Sequence, residues 1–267
     1  MLTRVLSAGL LAGLFAGLAI AILQNFTTTP LILAAEVYEN APPAKAAAIG
    51  DLVIRTSGNS DAPLILAHGD GHGAAGGHGA GGHGDGGAEE WVPADGLERV
   101  AFTSAATISA SIAFAFLLLG GMLIAGDQVT ERHAMAWAAA GFVATGLAPA
   151  IGLAPELPGM VAADLLARQS WWLLTAAMTA LSLWLFLRTN DVRMRGLAIL
   201  VLLAPHVLGA PQHSGDAASN VPADLAARFA AMSLAVHAAL WVATGFAVGT
   251  IWPVLAKSAQ PQAAGQS

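Results

Sequence analysis

Stretches free of Asp, Glu, Lys and Arg recur along the chain at lengths that suit the hydrocarbon thickness of a bilayer. A spanning helix needs roughly 20 apolar residues, and six windows fit or approach that length: 5–23, 100–126, 134–153, 169–187, 196–210 and 229–254. The fifth is the shortest and ends near Pro211. The pattern predicts an all-α polytopic membrane protein with six transmembrane helices, a single integral membrane domain over 1–267, a long loop over 24–99 and a disordered tail over 257–267. In the first window Gly9, Gly13 and Gly17 recur every fourth residue, a small-xxx-small ladder that lets two helices approach closely. Arg4 before that run resembles the start of a secretory signal. The run exceeds the ~7–15-residue core of a signal, however, and no clean cleavage site follows, so a retained helix is expected.

The segments before the even-numbered spans repeat. Val92-Pro-Ala-Asp95, Val161-Ala-Ala-Asp164 and Val221-Pro-Ala-Asp224 are each followed four residues later by an arginine: Arg99, Arg168 and Arg228. Upstream, Leu147-Ala-Pro149 with Ala154-Pro155 parallels Leu203-Ala-Pro205 with Ala210-Pro211, and Pro30 occupies the related place in the first pair. The chain therefore reads as three helix–loop–helix repeats in parallel, pseudo-symmetric about the membrane normal. Each Asp falls in a first helical turn, where it meets the positive end of the helix dipole, and shares a face with its Arg. The plain account is a cap and surface ion pair at each helix start. The sharper one is a ring of Asp95, Asp164 and Asp224 around an outer vestibule.

Composition and charge sharpen this picture. Hydrophobic residues make up 56% of the chain and charged residues 10%, too few charges to cover a soluble globule. With no cysteine, disulfides, iron–sulfur clusters and thiolate metal sites are excluded. The formal net charge of −6 argues against nucleic acid as a partner. Sorted by predicted side, six bases (Arg4, Arg132, Arg188, Arg193, Arg195, Lys257) face three acids, whereas the opposite side carries 14 acids and five bases. The basic side is expected to be cytoplasmic. Both termini then lie inside, and the 24–99 loop lies in the periplasm or extracellular space.

That loop holds a distinct segment, 68–87, made of 11 Gly, four His, three Ala and two Asp. Nothing in it is apolar and larger than Ala, so no packed element is predicted and the segment is expected to be flexible. His68, His72, His78 and His83 can nonetheless wrap around one cation, and imidazole suits cobalt, nickel, zinc and copper. The plain alternative is a spacer. Neutral imidazole is the ligand, so capture should weaken below about pH 6.5.

Polar groups at membrane depth are costly and face a cavity or a partner. His206 follows Pro205 in the fifth span, His213 lies just beyond it, and His237 lies within the sixth. Pro149 and Pro205 remove backbone N–H groups at matched positions and can expose carbonyls to a cavity. A cation path past His206 and His213 is the expectation; for His206 the alternative is one hydrogen bond to a neighbouring helix. Glu36 and Glu156, six and seven residues after the related prolines, are second-station carboxylates or solvated loop charges. Trp171 and Trp172 read as interface anchors.

Taken together, these motifs resemble the CbtA family of probable cobalt transporter subunits over nearly the whole chain. The resemblance rests on the Gly/Leu-rich first span with Pro30-Leu-Ile-Leu-Ala-Ala-Glu36, the His-rich loop leading to Glu90-Trp91 and Pro93-Ala-Asp95, then Leu147-Ala-Pro149, Pro155-Glu156-Leu-Pro158, Arg168-Gln169 with Trp171-Trp172, and Ala204-Pro205-His206 with Gly209-Ala-Pro211. It implies cobalt uptake linked to cobalamin metabolism across a bacterial cytoplasmic membrane, beside a small one-helix, His-bearing partner subunit. It also implies His68, His72, His78 and His83 as capture ligands, with Glu36, Glu156 and His206 as motif positions. The expected cargo is a transported divalent metal, cobalt(II) ahead of nickel(II), with no tightly bound cofactor. Lipid surrounds the chain, and a homo-oligomer is compatible with it. An alternative is a non-conducting metal-binding accessory or sensor subunit. An enzyme is not expected, because the four histidines outside the loop (His133, His206, His213, His237) never fall at i, i+4.

Overall fold

The computed structural model describes residues 1–39, 93–94, 96–213 and 219–258. His68, His72, His78, His83 and Asp95 lie outside the described residues. The described residues form helices and no strand: α1 (Leu2–Phe26), α2 (Thr28–Glu39), α3 (Leu97–Ile124), α4 (Glu131–Phe142), a π-helical turn (Val143–Leu147) running straight into α5 (Ala148–Gly152), α6 (Leu165–Arg188), α7 (Val192–Leu208) and α8 (Ala223–Ser258).

Among the described residues five helical stretches are long and apolar enough to cross a membrane: Leu2–Phe26, Leu97–Ile124, Glu131–Gly152, Leu165–Arg188 and Ala223–Lys257. The sixth expected span forms α7, but its 17 residues reach only about 26 Å, short of a ~30 Å hydrocarbon core. It still runs antiparallel to α6 for most of its length. Ser182 donates to the Ala198 carbonyl at 2.7 Å, and the Trp171 ring meets the His206 ring edge-on at 6.1 Å.

Each spanning helix begins a few residues before the charge-free windows. Polar side chains start α4, α6 and the shorter α7: Thr130 accepts from the His133 N–H, Asp164 from Ala167 and Asp191 from Arg193, each satisfying a first-turn donor. Part of the region expected to be a 24–99 loop is helical. The chain bends at Thr27 (φ −122°, ψ −74°) and continues as α2. Pro30 is tolerated in the first turn of α2 because no intrahelical partner awaits its missing N–H.

Successive traverses alternate in direction. At one end Arg4 donates to the Trp252 carbonyl at 3.2 Å and stacks over its ring at 3.8 Å, joining the start of α1 to the end of α8. At the other end α2, the α5–α6 connection and the start of α8 share an apolar cluster of Ala35, Tyr38, Leu157, Val221 and Phe229. Burial, then the Asp224 carboxylate, pushes the Tyr38 hydroxyl pKa up.

The glycine ladder of α1 meets α3 as its spacing predicts. A Cβ on Gly9, Gly13 or Gly17 would fall 2.4, 2.3 or 2.6 Å from atoms of Phe116, Ile112 or Ile108. A second close contact joins α8 to α4, where Gly245 faces Ala138 and Gly249 lies against the Glu131 backbone. Leucines on the outer side of α1, such as Leu10, Leu14 and Leu18, are about half exposed and suit lipid. The third hairpin is open: α7 packs along α6, whereas α8 packs against α1, α3 and α4.

Asp127, in the α3–α4 connection, ties the Arg4 end together. It accepts from the Trp137 indole at 2.8 Å and from Arg188 at 2.6 Å. The Trp137 hydrogen bond, and then Arg188, hold its carboxyl below the ordinary range against the opposing effect of burial. A carboxyl lowered in the native state contributes stability above its unfolded pKa and loses it as pH falls through the native value. Asp127→Asn should therefore lower the melting temperature in detergent at pH 7 and match the parent near pH 2, as circular dichroism melts at both pH values can show.

Candidate functional site

Proline sets the local geometry of the site. Pro149 has no N–H for the Thr145 carbonyl, its i−4 position in a regular α-helix, and its ring would clash there. The chain widens instead into the π-helical turn Val143–Leu147, with Ala148 N–H bonded to the Val143 carbonyl. Such turns swing side chains off the regular helical stripe. Here Thr145 and Gly146 are presented toward α8, where His237 and Trp241, four residues apart, share a face.

The resulting contact is compact. Thr145 Oγ1 lies 3.0 Å from His237 Nε2, and Trp241 Nε1 donates to Thr145 Oγ1 at 3.0 Å and to His237 Nε2 at 3.2 Å. An indole N–H can only donate, so Nε2 is an acceptor and the imidazole proton sits on Nδ1. Phe114 meets both rings edge-on, at 5.7 Å from His237 and 5.1 Å from Trp241. Two glycines make room: a Cβ on Gly146 would come within 2.6 Å of His237, and one on Gly141 within 2.4 Å of Trp241.

Two half-open cavities adjoin this contact. One, of about 710 Å³, lies among the π-helical turn, α5, α6 and α8, and Thr145, Arg168, Gln169, Ser233 and His237 supply its polar lining. Arg168 is held by Glu156 at 2.5 Å. The other, of about 410 Å³, lies among α3, α4 and α6, reaches Asp127, His133 and Arg188 at the Arg4 end, and includes Thr145 and Trp241 in its wall. One imidazole and a few hydroxyls fall short of the three or four strong donors that hold a resident transition metal. Among the described residues no group of three or more His, Asp or Glu is placed to do so.

The expected site residues are spread differently. Glu36 pairs with Arg99, whose Nη1 donates to Oε2 at 3.0 Å, and Glu156 pairs with Arg168, so the two post-proline glutamates occupy equivalent places. Arg99 and Arg168 thus reach back to the segment that precedes their own helix. Asp164 caps α6 through the Ala167 N–H at 2.9 Å. In the third repeat Gln212 stands where the glutamates stand, and Arg228 remains 3.9 Å from Asp224 on an exposed surface. His206 is half-buried at the edge of the α6–α7 pair, and His213 is exposed with its Nδ1 3.1 Å from the Ala162 carbonyl. Neither lines the two cavities. His237 lines the larger one, and its signal in the sequence is a histidine four residues before a tryptophan inside an apolar span.

A bundle of helices long and apolar enough to cross a bilayer defines the class: a polytopic helical membrane protein. The chain belongs to the CbtA family, described as probable cobalt transporter subunits, whose family model matches residues 2–253. The word subunit in that description implies a partner within a transport system. Neither the curated proteins nor the solved structures contain a match to this chain.

Proposed function

We propose that this protein takes up a divalent transition-metal cation, cobalt(II) ahead of nickel(II), across the bacterial cytoplasmic membrane. The Glu156 end faces outward and both termini face the cytoplasm, the orientation favoured by the excess of Arg and Lys at the Arg4 end. His68, His72, His78 and His83 capture the cation and pass it inward, with Glu36, Glu156, His206 and His213 as candidate stations near the outer surface. Family membership is the observation that carries this reading. An inward potential favours each cation charge by about 2.3 kcal/mol per 100 mV, so entry down the electrical gradient needs no nucleotide. A small His-bearing partner subunit, a homo-oligomer and a link to cobalamin supply belong to the same proposal.

The test is metal accumulation by vesicles holding this chain alone, with cobalt, nickel and zinc in competition. Deleting 68–87 should abolish uptake at low metal concentration and spare it at high concentration. The family description as a subunit favours a second reading, in which the chain binds metal and a partner conducts it. In that case vesicles of this chain alone accumulate no metal at any concentration.

A further inference from the structure

We infer that the two cavities are the outer and inner halves of one cation route, and that the Thr145–His237–Trp241 contact is the gate that closes it. This rests on the transport reading above and locates the step at which that transport is controlled.

The two halves lie on continuous faces. On α6, Leu165, Gln169 and Trp172 line the larger cavity, and Ala176, Ala180 and Leu187 line the smaller one. These positions advance mostly by three or four residues, so they form one stripe along the helix. The opposite wall behaves likewise: Leu153 and Pro149 give way to Ala140 and Ala136 along the π-helical turn and its flanking helices. Between the halves stands the three-residue cluster. His237 faces the larger cavity, Trp241 the smaller one, and Thr145 both.

The chemistry of the cluster couples cation arrival to opening. The Nε2 lone pair of His237 accepts the Trp241 N–H at 3.2 Å, and a metal ion needs that same lone pair. A cation reaching His237 from the larger cavity therefore displaces the indole donor, which its charge also repels. Trp241 is part of the wall of the smaller cavity, so its release unblocks the inner half while the ion holds the imidazole. Without a cation, Trp241 donates to Thr145 and His237 while the Thr145 hydroxyl donates to the Gly141 carbonyl at 2.8 Å, and the cluster keeps the halves apart. Gly141 and Gly146 let both rings seat directly on the α4 side, so the closure is tight without a bulky plug.

The chain contains no cysteine, so single thiols report on each half without background. Ala150→Cys places one in the larger cavity and Ala140→Cys one in the smaller. Full-length protein in vesicles is treated with a membrane-impermeant methanethiosulfonate cation. From the side that modifies Ala150→Cys, Ala140→Cys should stay protected while Trp241 is present. Adding Trp241→Phe, which keeps an aromatic ring and removes the N–H, should speed its modification from that side about tenfold, the effect of losing roughly one net hydrogen bond. Thr145→Val should act in the same direction and serves if the Trp241 variant does not fold. Cobalt chloride alone should also speed modification in the Trp241 background, and His237→Gln should abolish that response. Equal modification of Ala140→Cys with and without Trp241→Phe or Thr145→Val overturns the gate. A cobalt response that survives His237→Gln overturns its trigger. If the parent vesicles carry no cobalt flux, the autonomous-transport reading falls, while thiol labelling still decides the gate because it requires no transport.

Discussion

Gly13→Leu should abolish the folded protein, and even Gly13→Ala should lower its melting temperature. A Cβ at this position would fall 2.3 Å from the Ile112 Cα and 2.8 Å from its backbone nitrogen. Backbone cannot swing aside as a side chain does, so α1 and α3 would have to separate along the whole ladder from Gly9 to Gly17. Alanine is the better helix former by about 1 kcal/mol. Overpacking costs roughly 1–3 kcal/mol and more where the neighbour is rigid, so the clash wins. Gly120 provides the control, because a Cβ there meets nothing within 4 Å. Gly120→Ala should raise the melting temperature, with each kcal/mol corresponding to about 2–4 °C in a chain of this size class. Circular dichroism melts in detergent and the yield of monodisperse protein distinguish the two. Equal behaviour of Gly13→Ala and Gly120→Ala would mean that α1 and α3 are not in backbone contact.

That ladder is legible in the sequence because a bilayer permits so few structures. Lipid demands long apolar helices, and without a hydrophobic force between them close packing relies on small residues at regular spacing. Five of the six expected spans, though not α7, and the Gly9–Gly13–Gly17 face therefore follow from one-dimensional pattern. Ion-pair partners do not. Spacing puts Asp164 and Arg168 on one helical face, but the helix start uses Asp164 as its cap and leaves Arg168 to Glu156, a choice fixed by how the α5–α6 connection folds back. The histidines pose the same difficulty. His206 and His237 both sit in apolar stretches. Their difference arises from the neighbours of α7 and α8: the first lies at the edge of the bundle against α6, the second between α4 and the rest. Pro149, expected to open a helix to a cavity, stands in the wall of the larger one. Pro205, matched to it in sequence, is packed over within α7 and lines neither cavity.

Glu156→Gln and Arg168→Gln should shift cobalt uptake in opposite directions. The two side chains form an ion pair at 2.5 Å, about a quarter exposed, and Arg168 is part of the wall of the larger cavity. Intact, the pair presents almost no net charge to an arriving cation. Removing the carboxylate leaves a guanidinium facing the larger cavity; removing the guanidinium leaves a carboxylate. At roughly 8 Å, one such charge changes the energy of a divalent ion by about 1–4 kcal/mol across the dielectric range from water to a protein surface. Screening at physiological salt trims that toward the lower end. Initial rates of cobalt uptake at subsaturating metal should thus fall about tenfold in Glu156→Gln and rise severalfold in Arg168→Gln, with the double variant returning near the parent and all differences shrinking as salt is added. A structural tie between the α5–α6 connection and α6 would respond otherwise: breaking it from either side loosens the same contact, so both single variants would lose uptake in step with folded protein, and salt would not restore them. Opposite signs therefore separate a charge that the cation meets from a charge that only holds two segments together.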